Sequence, residues 1–267
     1  MMYFIVCTAA LAVSLLTLFA GFGLGTLLMP VFALFFPLET AIAATAVVHF
    51  INNIAKLLIV GRFAPRAIVV KFLLGALPAA AVGALLLQSA SGSGTLASYS
   101  LWNVTAEVSA VKLIIGLLLI MFAVVEFLPR FDRWSVDKKW LPLGGAISGF
   151  FGGLTGMQCA LRTAFLLRCD LSKHQLIATA SAVSASIDFT RLVVYAVALS
   201  TLAPNLSHPR RADLDWWLIA AASIAACIGS IVGARLITKI TIRAVKVMAA
   251  CLLCLCGLGL ASGLLGR

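Results

Sequence analysis

Charge is scarce in this sequence of 267 residues: 11% are Asp, Glu, Lys or Arg, and only nine are acidic. A soluble domain carries about 25% charged residues, so this chain has too little polar material to cover a globular surface. The nine acids are scattered, and no D-x-x-D, H-E-x-x-H or G-x-S-x-G pattern occurs. An integral-membrane enzyme clusters its acid, base or metal ligands, so the scatter argues against one. A basic leader is also lacking. The first twenty residues, MMYFIVCTAALAVSLLTLFA, contain no positive n-region and do not read as a cleaved signal peptide. Cys251-x-x-Cys254-x-Cys256 has the spacing of a metal motif, yet no His or acid lies near it. Cysteine in an apolar run behaves as a small hydrophobe, and no metal or cofactor is expected.

What the chain has in abundance is apolar length. The AVILMFWYC set makes up 63% of it, and the mean hydropathy is +1.12. At about 20 residues per crossing, the expectation is an all-α polytopic membrane protein. Net charge is +11, which in such a protein reflects Lys and Arg collecting in cytoplasmic loops. No nucleic-acid partner is implied; the lipid bilayer is the partner the composition demands.

Six segments read as ordinary spans: 41–60, 67–87, 108–128, 175–202, 216–237 and 244–265. Residues 2–36 and 141–168 differ, because each holds two apolar runs around a glycine break, Gly21–Gly25 in one and Gly152–Gly156 in the other. The arms of the second region, about a dozen residues each, cover about 18 Å, short of a hydrocarbon core of about 30 Å, so it reads as a re-entrant hairpin. The first region is read as a re-entrant or broken helical hairpin by the same glycine break. Charge supports this. If both hairpins return to the side they entered, thirteen basic residues from Arg62 to Lys246 share one side and Arg210, Arg211 and Arg267 the other, as the positive-inside rule requires. Both termini are then expected outside the plasma membrane. Residues 2–20 are long enough to cross by themselves.

Each half becomes a hairpin plus three spans, residues 1–128 and 141–267, joined by a cytoplasmic linker at 129–140. An odd number of crossings inverts the second half. Ala44-Thr45-Ala46 and Ala178-Thr179-Ala180 occupy equivalent places after the two hairpins. Inverted repeats with broken helices are the architecture of secondary transporters.

The glycine-rich break GFGLGTLLMP, the following A-x-A-A-T-A segment, and GFFGGLTG followed by IATA together resemble the TauE/SafE sulfite exporter family. That family is also called the toluene-sulfonate uptake permease family. The resemblance covers nearly the whole chain and implies a bacterial plasma-membrane transporter of sulfite or small organosulfonates. One stretch departs from the family pattern: the second break continues Met157-Gln158-Cys159-Ala160-Leu161-Arg162 where further glycines and a proline are common. This makes it the expected specificity element.

The residues themselves suit an anion. Each return arm would begin at membrane depth, where free N–H groups carry partial positive charge. Gly23, Gly25 and Gly156 allow close backbone approach, and Thr26 and Thr155 stand ready to cap or donate. Gly229-x-x-x-Gly233 and Gly75-x-x-x-Ala79-x-x-x-Gly83 read instead as helix packing. A charge in the bilayer needs a partner or a task, which singles out His49, Arg162, Asp188 and Arg191. Asp188 and Arg191 are spaced to pair; Arg162 either offers its planar fork to an oxyanion or pairs with Asp188. Gln158, Asn52, Asn53 and Arg191 complete the candidate binding set. His49, Asp188 and Lys56 are candidates for coupling or gating, although Lys56 also suits snorkelling. The leading expectation is a secondary transporter exporting a sulfur oxyanion by alternating access, the anion held at the midplane. A passive anion channel and a membrane enzyme are the alternatives, and the Gly-rich faces permit a homodimer.

Overall fold

A computed structural model describes residues 1–20, 24–90, 94–101, 104–127, 136–202, 215–236 and 242–266. Its described helices are α1 (Met2–Ala20), α2 (Leu24–Ala33), α3 (Leu38–Val60), α4 (Arg66–Ala90), α5 (Ala110–Phe127), α6 (Leu141–Thr155), α7 (Cys159–Leu166), α8 (Lys173–Leu202), α9 (Trp216–Leu236) and α10 (Ile242–Ala261). Four stretches are long and apolar enough to cross a membrane: Leu38–Phe63, Arg66–Ala90, Lys173–Ala198 and Trp216–Gly233. The segments expected at 108–128 and 244–265 are helical in α5 and α10, although their described apolar stretches are shorter.

The expectation of an all-helical chain needs one correction. Between α4 and α5 run two antiparallel strands, β1 (Thr95–Leu101) and β2 (Val104–Ser109), paired from Thr95↔Ser109 to Leu101↔Val104. Thr, Tyr and Val favour a pleated, half-exposed surface, and the segment is too polar to enter a bilayer. Helix α5 accordingly starts at Ala110 rather than 108. The Tyr99 hydroxyl donates to the Ser262 carbonyl at 2.5 Å, holding the ribbon against the end of α10.

Helix packing is set by small residues. A Cβ built on Gly145, Gly149 or Gly153 of α6 would fall 2.0, 2.2 and 2.1 Å from the carbonyl oxygens of Phe72, Ala76 and Ala80 on α4. The four-residue steps match on both helices, so they lie in contact backbone to backbone. From the α4 side, Gly75 and Gly83 press on Pro142 and Phe150 in the same way. Helix α9 uses Gly229 and Gly233 against Leu11 and Leu15 of α1, at 2.3 and 2.8 Å. The remaining large interfaces are α3 with α8 and α5 with α10. All ten residues of α2 are buried, which suits a helix apolar on every side.

Two features of the packing position the site. Helix α7 folds back along α6: Phe165 near its end lies against Gly144 near the start of α6, and the Ser148 hydroxyl donates to the Gln158 carbonyl at 3.0 Å. Helices α3 and α8 run antiparallel, with ring contacts Phe50–Phe189 at one end and Phe63–His174 at the other.

Candidate anion site

The turn between α6 and α7 begins with Gly156, whose φ of +84° places it in the left-handed region. Its N–H closes the helix onto the Gly152 carbonyl at 2.9 Å, the usual way a glycine ends an α-helix. Thr155 is used locally: its hydroxyl donates to the Phe151 carbonyl at 3.0 Å and accepts from the Met157 N–H at 3.3 Å. It therefore caps the end of α6 rather than the start of α7.

Gly156 is where the two breaks meet. A Cβ on Gly25, in the first turn of α2, would lie 3.4 Å from the Gly156 carbonyl oxygen and 3.7 Å from the His49 ring. On the other side, a Cβ on Gly156 would lie 2.8 Å from Nη1 of Arg191. The start of α2, the α6–α7 turn, His49 and the Arg191 guanidinium are thus in mutual contact. Thr26 is buried beside Gly25. Gly23 lies outside the described residues.

A buried charge chain runs through this point. His49 Nδ1 lies 2.6 Å from Asp188 Oδ2, and Arg191 Nε donates to Asp188 Oδ1 at 3.1 Å. Arg191 Nη2 is also 2.8 Å from Oδ1, but its N–H bonds are not aligned on that oxygen. Asp188 and Arg191 are fully buried and His49 is 3% exposed. The expected pairing of Asp188 with Arg191 is present, and His49 joins it from the other half of the chain. Arg162 does not pair with Asp188. It donates through Nη1 to Ser184 and through Nη2 to Cys159 Sγ at 3.5 Å, because the short α7 delivers it one turn earlier along α8.

Several polar atoms in this region are left over, all but the Gln158 oxygen being donors. Arg162 Nε, both terminal nitrogens of Arg191, and both ends of the Gln158 amide are buried with no hydrogen-bond partner. Leaving such groups unmatched costs about 1–3 kcal/mol each, more when charged. A cluster of unmatched guanidinium and amide donors therefore fits an anion with several acceptor oxygens.

The polar face of α3 divides. Asn53 donates to its own helix at the His49 carbonyl, 2.9 Å away, and its amide nitrogen is committed there. Asn52 reaches across the bundle. In the orientation that satisfies both ends, its nitrogen donates to Ser230 Oγ at 2.7 Å and its oxygen accepts from Lys56 Nζ at 3.1 Å. Ser230 continues to Ser14 Oγ at 2.6 Å. The Lys56 ammonium is therefore held against Asn52, one turn back on its own helix. Ser14 and Ser230 were not singled out by sequence, since single serines in apolar helices carry no signal beyond packing. The Tyr195 hydroxyl, which donates to the Gly153 carbonyl at 3.3 Å, escaped for the same reason. Among the described residues no cluster of His, Cys, Asp or Glu could hold a metal.

Long apolar helices around a buried polar centre are the build of an integral membrane protein. The family model described as sulfite exporter TauE/SafE matches residues 6–260. The chain belongs to that family, whose members are membrane permeases for sulfite and related anions. No curated protein and no solved structure gave a significant match.

Proposed function

We propose that this protein is a secondary transporter that exports sulfite, or a related small sulfur oxyanion or organosulfonate, across the bacterial inner membrane by alternating access. The carrying observation is the set of unmatched buried donors on Arg162, Arg191 and Gln158, of which Arg191 lies against Gly156, where that turn meets Gly25. The anion would lie against these donors, with the first turns of α2 and α7 contributing their unpaired N–H groups. Asn52 and Thr26 line its approach. His49, Asp188 and Lys56 are the coupling and gating groups: an anion that draws Arg191 away leaves Asp188 dependent on His49, so a proton on the imidazole and the anion stabilise each other.

The reading as two inverted repeats, α1–α5 and α6–α10, is supported by the helix partners. Exchanging the halves turns the α1–α9 contact into α6–α4, and leaves α3–α8 and α5–α10 as pairs of equivalent helices. Antiparallel packing of α3 on α8 is what a two-fold axis in the membrane plane requires. Alternating access is then a rocking of these halves about the α3–α8 contact. Both termini face outside in this arrangement, and a homodimer is compatible with it.

The test is efflux of sulfite from proteoliposomes. Wild type is expected to release it faster than empty vesicles, with Arg162→Ala slowed by about tenfold to a hundredfold, the value of one or two charged hydrogen bonds. Absence of wild-type efflux would overturn the substrate assignment, and full efflux by the variant would remove Arg162 from the site.

A further inference from the structure

We infer that the site selects a divalent oxyanion over a monovalent one, and that Lys56 is the residue that sets this valence. The inference rests on the anion-transport reading above and concerns the charge of its substrate.

The antiparallel register of α3 and α8 locates Lys56. His49 faces Asp188, and Phe63 faces His174. Between these points Lys56 falls opposite Ser181, and its ammonium, turned back one turn to Asn52, reaches the level of Ser184, the residue that receives Arg162. Ser184 and Asp188 are four residues apart, about 6 Å along the helix. Lys56, Arg162 and Arg191 therefore lie along one short stretch of the α3–α8 interface.

Only one carboxylate faces these three cations. Asp188 is the sole buried acid among the described residues, and it is already bound by Arg191. Asp188 offsets one of the three, so at least two positive charges remain uncompensated by protein. Arg162 has only neutral partners, Ser184 and Cys159, and Lys56 has the amide oxygen of Asn52. Charges in a low-dielectric site need compensation, and a bound dianion supplies it. A monoanion leaves one cation unpaired.

Thiosulfate and methanesulfonate separate charge from shape, since each is an –SO3 group with one further substituent and they differ by one unit of charge. Affinity for both is measured by isothermal titration on the full-length protein in nanodiscs. Wild type is expected to bind thiosulfate at least about tenfold more tightly than methanesulfonate. Lys56→Met is expected to lose about tenfold in thiosulfate affinity while methanesulfonate binding holds or improves. Lys56→Arg should restore the preference. Lys56→Gln, which keeps a donor for Asn52, replaces the Met variant if that one does not fold. Equal wild-type affinity for the two anions, or equal weakening of both in the Lys56 variants, would overturn the valence inference and leave the anion site standing. Binding of neither anion would overturn the anion reading together with it.

Discussion

Asp188 illustrates how a single carboxylate organises this protein's interior. It accepts from Arg191 on its own helix and meets His49 on α3, so it neutralises one cation and ties the two halves of the chain together. Breaking a buried ion pair by removing one partner costs about 3–5 kcal/mol, because the other charge stays buried alone. Asp188→Asn is therefore expected to lower thermal stability by about that much. Removing Arg191 as well, in Asp188→Asn/Arg191→Gln, should recover part of the loss. A double variant no more stable than the single would show that the pair contributes independently of its partners. Gly156 is equally constrained. A side chain in the left-handed region costs about 1–2 kcal/mol, and a Cβ there would meet Arg191 Nη1 at 2.8 Å. Gly156→Ala is expected to fold with a modest loss of stability and to lose anion flux, since it displaces the guanidinium that the anion uses. Flux at the wild-type rate would place the anion away from this turn.

At the scale of elements, stability resides in backbone contacts between helices rather than in large side chains. Helices α4 and α6 approach so closely that carbonyl oxygens of one occupy the space of absent Cβ atoms on the other. Any side chain at Gly149 must push the helices apart, and Gly149→Leu should cost about 3 kcal/mol or more, at the upper end of overpacking effects. Gly94 has nothing within 4 Å of its Cβ position, so Gly94→Ala is the control and should stay within about 0.5 kcal/mol of wild type. Thermal unfolding in detergent measures both. The base of the α6–α7 hairpin is clasped by exposed ion pairs instead, Lys138–Asp170 at 2.8 Å and Arg168–Asp137 at 2.5 Å. The hydrogen bond from Lys138 and its charge hold the Asp170 carboxyl below its ordinary range. This small stabilisation is complete above the ordinary carboxylate range and disappears as pH falls through the lowered value. In Lys138→Gln the Asp170 titration, followed by carboxylate NMR, should return upward to the ordinary range.

For the whole molecule, the proposed topology makes a prediction independent of transport. In that topology Arg62 and Lys173 would belong to the basic side and the β1–β2 ribbon to the opposite one. In intact cells, a membrane-impermeant maleimide should label Ser98→Cys and should reach Arg62→Cys and Lys173→Cys only after permeabilisation. Labelling of all three from outside would rule out the six-crossing arrangement. The antiparallel α3–α8 contact brings buried ionisable residues of both helices together at His49 and Asp188, so the proposed movement of one half against the other would be registered there.

Composition and the length of its apolar runs determined that this chain is helical and membrane-embedded: 63% apolar and 11% charged residues exclude a soluble surface, and unbroken runs of about 20 apolar residues satisfy their backbone in a bilayer as helices. Spacing along the chain also revealed the Asp188–Arg191 pair and the packing glycines, since contacts at three and four residues are fixed by helix geometry. The β1–β2 ribbon was hidden by its length: fifteen half-polar residues between spans read as a loop. The repeat equivalence also set His49 opposite Asp188, which it meets, but the other contacts across the bundle were beyond sequence. That Arg162 reaches Ser184 rather than Asp188, and that Asn52 joins Ser230 and Lys56, depend on which faces of α3, α7, α8 and α9 are turned together. Those rotations follow from glycine contacts tens of residues away, and only the packed structure decides them.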